Sequence, residues 1–150
     1  MTETPRPRRT ARSVGAVLAG FVAIFAVTTA TDVLLHATGI FPPWGQSMSD
    51  RLFLLATAYR IVYGVAGSYL TARLAPDRPI RHALWLGFVG VIFSIAGTVA
   101  TWSRGPEFGP KWYPLTLVAL AIPYAWVGGR LREMQLRVRN GSVSGVRTSP

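Results

Sequence analysis

The chain is 150 residues long, 50% hydrophobic and only 15% charged, with 16 Lys and Arg against 6 Asp and Glu. Its apolar residues gather in four blocks of about 20 separated by short polar joints, which is the pattern of membrane spans and excludes both a soluble core and a disordered polymer. Zero Cys and two His exclude disulfides, thiolate zinc sites, iron–sulfur ligation, thiol nucleophiles and an imidazole metal cluster, so no metal or cofactor is expected.

Residues 1–13 carry Arg6, Arg8, Arg9 and Arg12 among Pro and Thr. They read as a basic cytoplasmic tail, too polar and proline-broken to pack. The first span covers about 14–37, apolar except for threonines, Asp32 and His36. A cleavable signal peptide would use Arg8, Arg9 and Arg12 as its basic region and Thr28-Thr29-Ala30 as its cleavage site. Apolarity resumes at Val33 and runs through Leu34 and Leu35, which makes a full span the better reading.

Residues 39–50 hold two glycines, two prolines and the interface-loving Phe41 and Trp44, and the run Ser47-Met48-Ser49-Asp50 is placed to cap the next helix. The second span covers about 52–74. The joint Ala75-Pro76-Asp77-Arg78-Pro79 is so short that spans two and three are antiparallel neighbours. The third span covers about 80–102. A second Gly/Pro loop leads to Trp112-Tyr113-Pro114, an aromatic pair for the headgroup layer with a proline suited to a first helical turn, and the fourth span covers about 115–129. Residues 133–150 are polar, basic and dotted with Gly and Ser, so a disordered cytoplasmic tail is expected beyond a helical extension to about Arg139. The sum is an all-α membrane protein, a four-transmembrane-helix bundle over 14–132.

Orientation follows from the positive charges. The amino segment has four, the joint from Arg73 to Arg81 three and the carboxyl segment five, twelve in all, against three on the other side: Arg51, Arg104 and Lys111. By the positive-inside rule both termini lie in the cytoplasm and the two Gly/Pro/Trp loops lie outside. The basic excess then meets anionic lipid headgroups; nucleic acid is not expected, because no soluble domain offers a basic face.

An internal repeat is also visible. Gly20-Phe21-Val22-Ala23-Ile24-Phe25 returns as Gly87-Phe88-Val89-Gly90-Val91-Ile92-Phe93, and Phe41 and Phe108 each follow their glycine by 21 residues. Two helix hairpins related by an axis along the membrane normal would produce this, although membrane helices draw on few residue types and chance similarity accounts for it as well.

Small residues recur at helical spacing. Gly64 and Gly67 in span two, Gly87, Gly90 and Gly97 in span three, and Ala121, Ala125 and Gly129 in span four read as packing seams, where backbones approach closely in the absence of a hydrophobic drive. Pro123 is placed to kink span four. The polar candidates are Asp32, His36 and Arg60. Thr28, Thr29, Asp32 and His36 share a face of span one, and Arg60 lies at a matching depth in span two. A lone charge at mid-span costs on the order of 2.5 to 3.5 kcal/mol, so Asp32 and Arg60 should pair or face water. His36 stands one turn from Asp32 and adds an ionisable imidazole to that face. No nucleophile motif accompanies Asp32, His36, Asp50 or Glu107, and enzymatic function is not expected.

The stretches Thr31-Asp32, Leu34-Leu35-His36-Ala37-Thr38-Gly39, Phe41-Pro42-Pro43-Trp44-Gly45, Ala58-Tyr59-Arg60, Ala72-Arg73-Leu74-Ala75-Pro76-Asp77-Arg78-Pro79 and Gly109-Pro110-Lys111-Trp112-Tyr113-Pro114 resemble a group of small bacterial four-span integral membrane proteins with no established activity. The resemblance covers about residues 13–132 and implies the same architecture in a bacterial inner membrane. The functional expectation is a non-enzymatic membrane subunit or partner-binding module, its partner a second copy of the chain or another membrane protein. The alternative is a small-solute or proton-coupled transporter acting as a homo-oligomer, with Asp32, His36 and Arg60 at its site.

Overall fold

The computed structural model describes residues 6–105 and 108–146, with side chains described for 8–105 and 108–139. It contains four helices: α1 (Arg6–Ala37), α2 (Asp50–Leu74), α3 (Pro79–Thr101) and α4 (Trp112–Val146). Each holds a stretch long and apolar enough to cross a membrane. Their large side chains are left uncovered, among them Leu18, Val22 and Phe25 of α1, Val62 of α2, and Phe88, Ile92 and Val99 of α3. So much contiguous apolar surface is incompatible with water and suits lipid. The chain is an all-α, multi-pass membrane protein built as a four-helix bundle.

Two helices are longer than their apolar blocks. At 1.5 Å per residue α1 and α4 reach about 48 and 52 Å, against roughly 30 Å of hydrocarbon. Of the expected basic tail, residues 1–5 lie outside the described residues and the rest is helix from Arg6 onward. The expected carboxyl tail is helical as far as it is described, and its residues 147–150 lie outside the described residues. α4 continues through Pro123 and past Arg139 to Val146, supported by Glu133, which pairs with Arg130 at 2.5 Å and Arg137 at 3.5 Å, and by Tyr69 of α2, whose hydroxyl donates to Gln135 at 2.6 Å.

The chain turns tightly where expected. Ser49 is the N-cap of α2, but its hydroxyl makes no capping bond; its carbonyl instead accepts from Leu52 and Phe53 at 3.0 and 3.2 Å. Asp50 is the first helical residue rather than the cap. Between α2 and α3, Arg78 takes a left-handed conformation at φ 38°, a strain on the order of 1–2 kcal/mol that the short connection imposes. The α2–α3 connection marks the turn end of the bundle, and residues 38–49 and 102–111 mark the loop end.

Packing is uneven. α2 and α4 run against each other, α3 packs along α4 and against α2, and α1 leans on α2 and more lightly on α3 while barely touching α4. A twofold between two hairpins would make α1–α4 match α2–α3, and it does not. The repeated glycines do occupy equivalent seats. A Cβ on Gly20 would lie 1.9 Å from Thr71 Oγ1 and 2.8 Å from the Gly67 carbonyl of α2, and one on Gly87 would lie 2.6 Å from Ala125 Cβ of α4. The phenylalanines do not follow suit: Phe41 is buried and Phe108 exposed.

The other seams divide. Gly67 receives Ile24 of α1 and Gly64 receives the Tyr124 ring of α4, while Gly90 lies near the Tyr124 hydroxyl. Gly97, expected to pack, instead faces open space, with nothing within 4 Å of an added Cβ, on the lipid side of α3. Two packing glycines were not singled out from the sequence as seams, Gly20 and Gly128, the latter seated against Ser68 and the Val65 carbonyl.

Candidate functional site

In the half of the bundle nearer the loop end, Asp32 lies five residues before the end of α1 and Arg60 ten residues into α2. The two meet as their depths require: Arg60 Nη2 donates to Asp32 Oδ2 at 2.7 Å. Tyr59 completes the arrangement. Its hydroxyl donates to Asp32 Oδ1 and accepts from Arg60 Nη1 at 3.0 Å. Asp32, Tyr59 and Arg60 thus form a closed ring of three hydrogen bonds between α1 and α2. Two of the three contacts are made to a carboxylate, and such charge-assisted bonds are roughly twice as strong as neutral ones.

The ring has aromatic support. The Arg60 guanidinium lies 5.2 Å from the centre of the Tyr59 ring and 5.7 Å from that of Tyr113 on α4, distances suited to cation–π attraction. One turn along, Thr31 donates to the Val27 carbonyl at 2.9 Å and so receives its second bond, 3.0 Å long, from the Tyr63 hydroxyl. This is a second α1–α2 tie beside the first.

His36 belongs to the neighbourhood but not to the ring. A carbonyl can only accept, so His36 donates through Nδ1 to Pro42 at 2.6 Å. Its ring lies against Trp44 at 3.6 Å and edge-on to Phe41 at 5.4 Å. His36 folds the loop after α1 back over the end of the helix. Beneath that loop is a small pocket of about 160 Å³ that His36, Asp32 and Arg60 all border. Gly109, at φ +90°, closes the second loop over Phe53: a Cβ there would lie 2.3 Å from that ring.

On its other side the ring borders a lateral groove of about 510 Å³ where α1 stands away from α4. The groove walls are mostly apolar, with Thr28, Thr29 and Ser94 among them, and the Thr28 hydroxyl is buried there without a hydrogen-bond partner. Further toward the turn end the buried polar side chains among the described residues are Ser68 and Thr71, both wholly buried with unpartnered hydroxyls. The expected face of Thr28, Thr29, Asp32 and His36 is thus split between groove, ring and loop.

His82, the other histidine, lies beside the α2–α3 turn and bonds the Arg78 carbonyl at 3.3 Å. Among the described residues no cluster of His, Asp and Glu could hold a metal ion. Comparison with known proteins finds no matching family model, no similar curated protein and no similar solved structure.

Proposed function

We propose that this multi-pass membrane protein is a non-enzymatic binding module or subunit of a bacterial inner membrane, with both termini in the cytoplasm and another membrane protein or a second copy of the chain as its partner. One observation carries the reading: the Asp32–Tyr59–Arg60 ring is charge-balanced and closed on itself. Each ring contact uses a donor of one member and an acceptor of the next, which suits a clamp holding α1 to α2 better than a site that must exchange protons. The relay a proton would need is also short, since Ser68 and Thr71 are sealed between helices.

The transporter reading has one observation on its side. Asp32 and Arg60 border both the lateral groove and the pocket beneath the loop, so opening the ring would join the two. Vesicles reconstituted with the protein separate the readings. A binding module gives no protein-dependent proton or solute flux, and purification in mild detergent retains a partner or an oligomer of defined mass. A wild-type proton leak that vanishes in Asp32→Asn at equal folded protein would reject the module and install the transporter.

A further inference from the structure

At the turn end, away from the polar ring, a second groove of about 470 Å³ runs between α1 and α3. Its mouth carries Arg78, Arg81 and His82, with Asp77 as the one acid. Arg78 and Arg81 form no ion pair among the described residues. Below the mouth the walls are apolar, Val17 and Leu18 of α1 facing Trp85 and Val89 of α3. Trp85 lies about 9 Å and Val89 about 15 Å from the start of α3, so the groove reaches half of a hydrocarbon layer roughly 30 Å thick. Beyond it, Phe21 of α1 and Phe93 of α3 come together with ring centres 4.9 Å apart and separate this groove from the one beside the ring.

Trp85 has a second groove on its far side, about 340 Å³, bordered by Arg81, Leu84 and Phe88. Arg81 and Trp85 therefore stand between two apolar channels that share one basic head. We propose that this is a binding site for a single anionic diacyl phospholipid, its phosphodiester on Arg78 and Arg81 and one acyl chain on each side of Trp85. Guanidinium groups present forked donors that match phosphate oxygens. The two arginines against Asp77 leave the mouth one positive charge in excess, matching one phosphodiester. A channel divided by an indole suits two thin chains and excludes a helix about 10 Å across. The site is separate from the ring and does not depend on the reading proposed for it.

The test is native mass spectrometry of the full chain in mild detergent, titrated with dioleoyl phosphatidylglycerol, dioleoyl phosphatidylcholine and single-chain lysophosphatidylglycerol. One phosphatidylglycerol should bind in preference to the other two. Each arginine near an anionic headgroup contributes roughly 5-fold, so Arg78→Gln/Arg81→Gln should weaken it about 30-fold. Arg51→Gln/Arg104→Gln, the same charge change at the loop end, should leave it unaltered. Equal weakening by both pairs would mean diffuse attraction and overturn the site, as would equal retention of phosphatidylcholine or displacement by inorganic phosphate. Trp85→Ala reads the chains independently of the arginines and stands in if the arginine pair fails to fold. It should erase the preference for two chains over one while keeping that for phosphatidylglycerol over phosphatidylcholine; an undiminished two-chain preference would overturn the proposal.

Discussion

Removing the Asp32 carboxylate strands two donors at once, the Tyr59 hydroxyl and one arm of Arg60, whereas removing both charges leaves only neutral polar groups to accommodate. Breaking one side of a buried ion pair costs about 3–5 kcal/mol; here the side chains keep 23% and 21% of their exposure, so about 2–3 kcal/mol is expected for Asp32→Asn or Arg60→Gln. The double variant should lose less than the two single losses together. Tyr59→Phe should cost about 1 kcal/mol, the ordinary worth of a hydrogen bond. Thermal unfolding of the four variants in detergent measures this, and strictly additive losses would mean that Asp32 and Arg60 are uncoupled. The pair itself was legible in the sequence because two charges at one depth in lipid have few alternatives to each other. Tyr59 was not, since adjacent helical residues point about 100° apart and only the length of the phenol brings its hydroxyl to Asp32. His36 was placed on the face of Asp32 by spacing, but the chain reverses at Gly39 and brings the Pro42 carbonyl within reach first, a loop geometry that helical periodicity does not contain.

At the scale of helices, glycine is used in two ways that substitution can separate. Gly20 lets α1 settle against Gly67 and Thr71, where an added methyl would overlap backbone as well as side chain. Gly97 faces open space. Alanine is the better helix former by roughly 0.5–1 kcal/mol, so Gly97→Ala should be neutral or mildly stabilising. Gly20→Ala sets that gain against overpacking of typically 1–3 kcal/mol and should be destabilising on balance. Thermal unfolding in detergent compares them directly; equal effects would remove the α1–α2 contact from any account of how the bundle holds together. Spacing shows which faces are smooth but not which smooth face meets a neighbour, so it does not distinguish Gly97 from the glycines that pack. The helix count was legible from the apolar blocks, while the helix ends were not. Hydropathy stops where lipid stops, whereas α1 and α4 continue as long as their backbones stay satisfied, α4 even through Pro123.

For the molecule as a whole, the over-long helices give the orientation a structural form. The start of α1 and the end of α4 lie with the α2–α3 connection at the turn end, and the two overhangs carry Arg8, Arg9 and Arg12 on one helix and Arg130, Arg132, Arg137 and Arg139 on the other. Translocating that end would carry twelve of the 16 Lys and Arg across the membrane, whereas the loop end carries three, so the turn end should remain in the cytoplasm. The absence of native Cys makes the test clean. Ser47→Cys and Ser103→Cys place thiols on exposed positions of the two loops, and Asp77→Cys and Arg139→Cys place them on exposed positions of the turn end. In intact cells an impermeant maleimide should label the first two and reach the others only after permeabilisation. Labelling of position 77 or 139 in intact cells, with 47 and 103 protected, would invert the assignment. It would also move the pocket beneath the His36 loop to the cytoplasm and set the Arg78 and Arg81 groove against the opposite leaflet, where anionic lipid is no longer the expected neighbour.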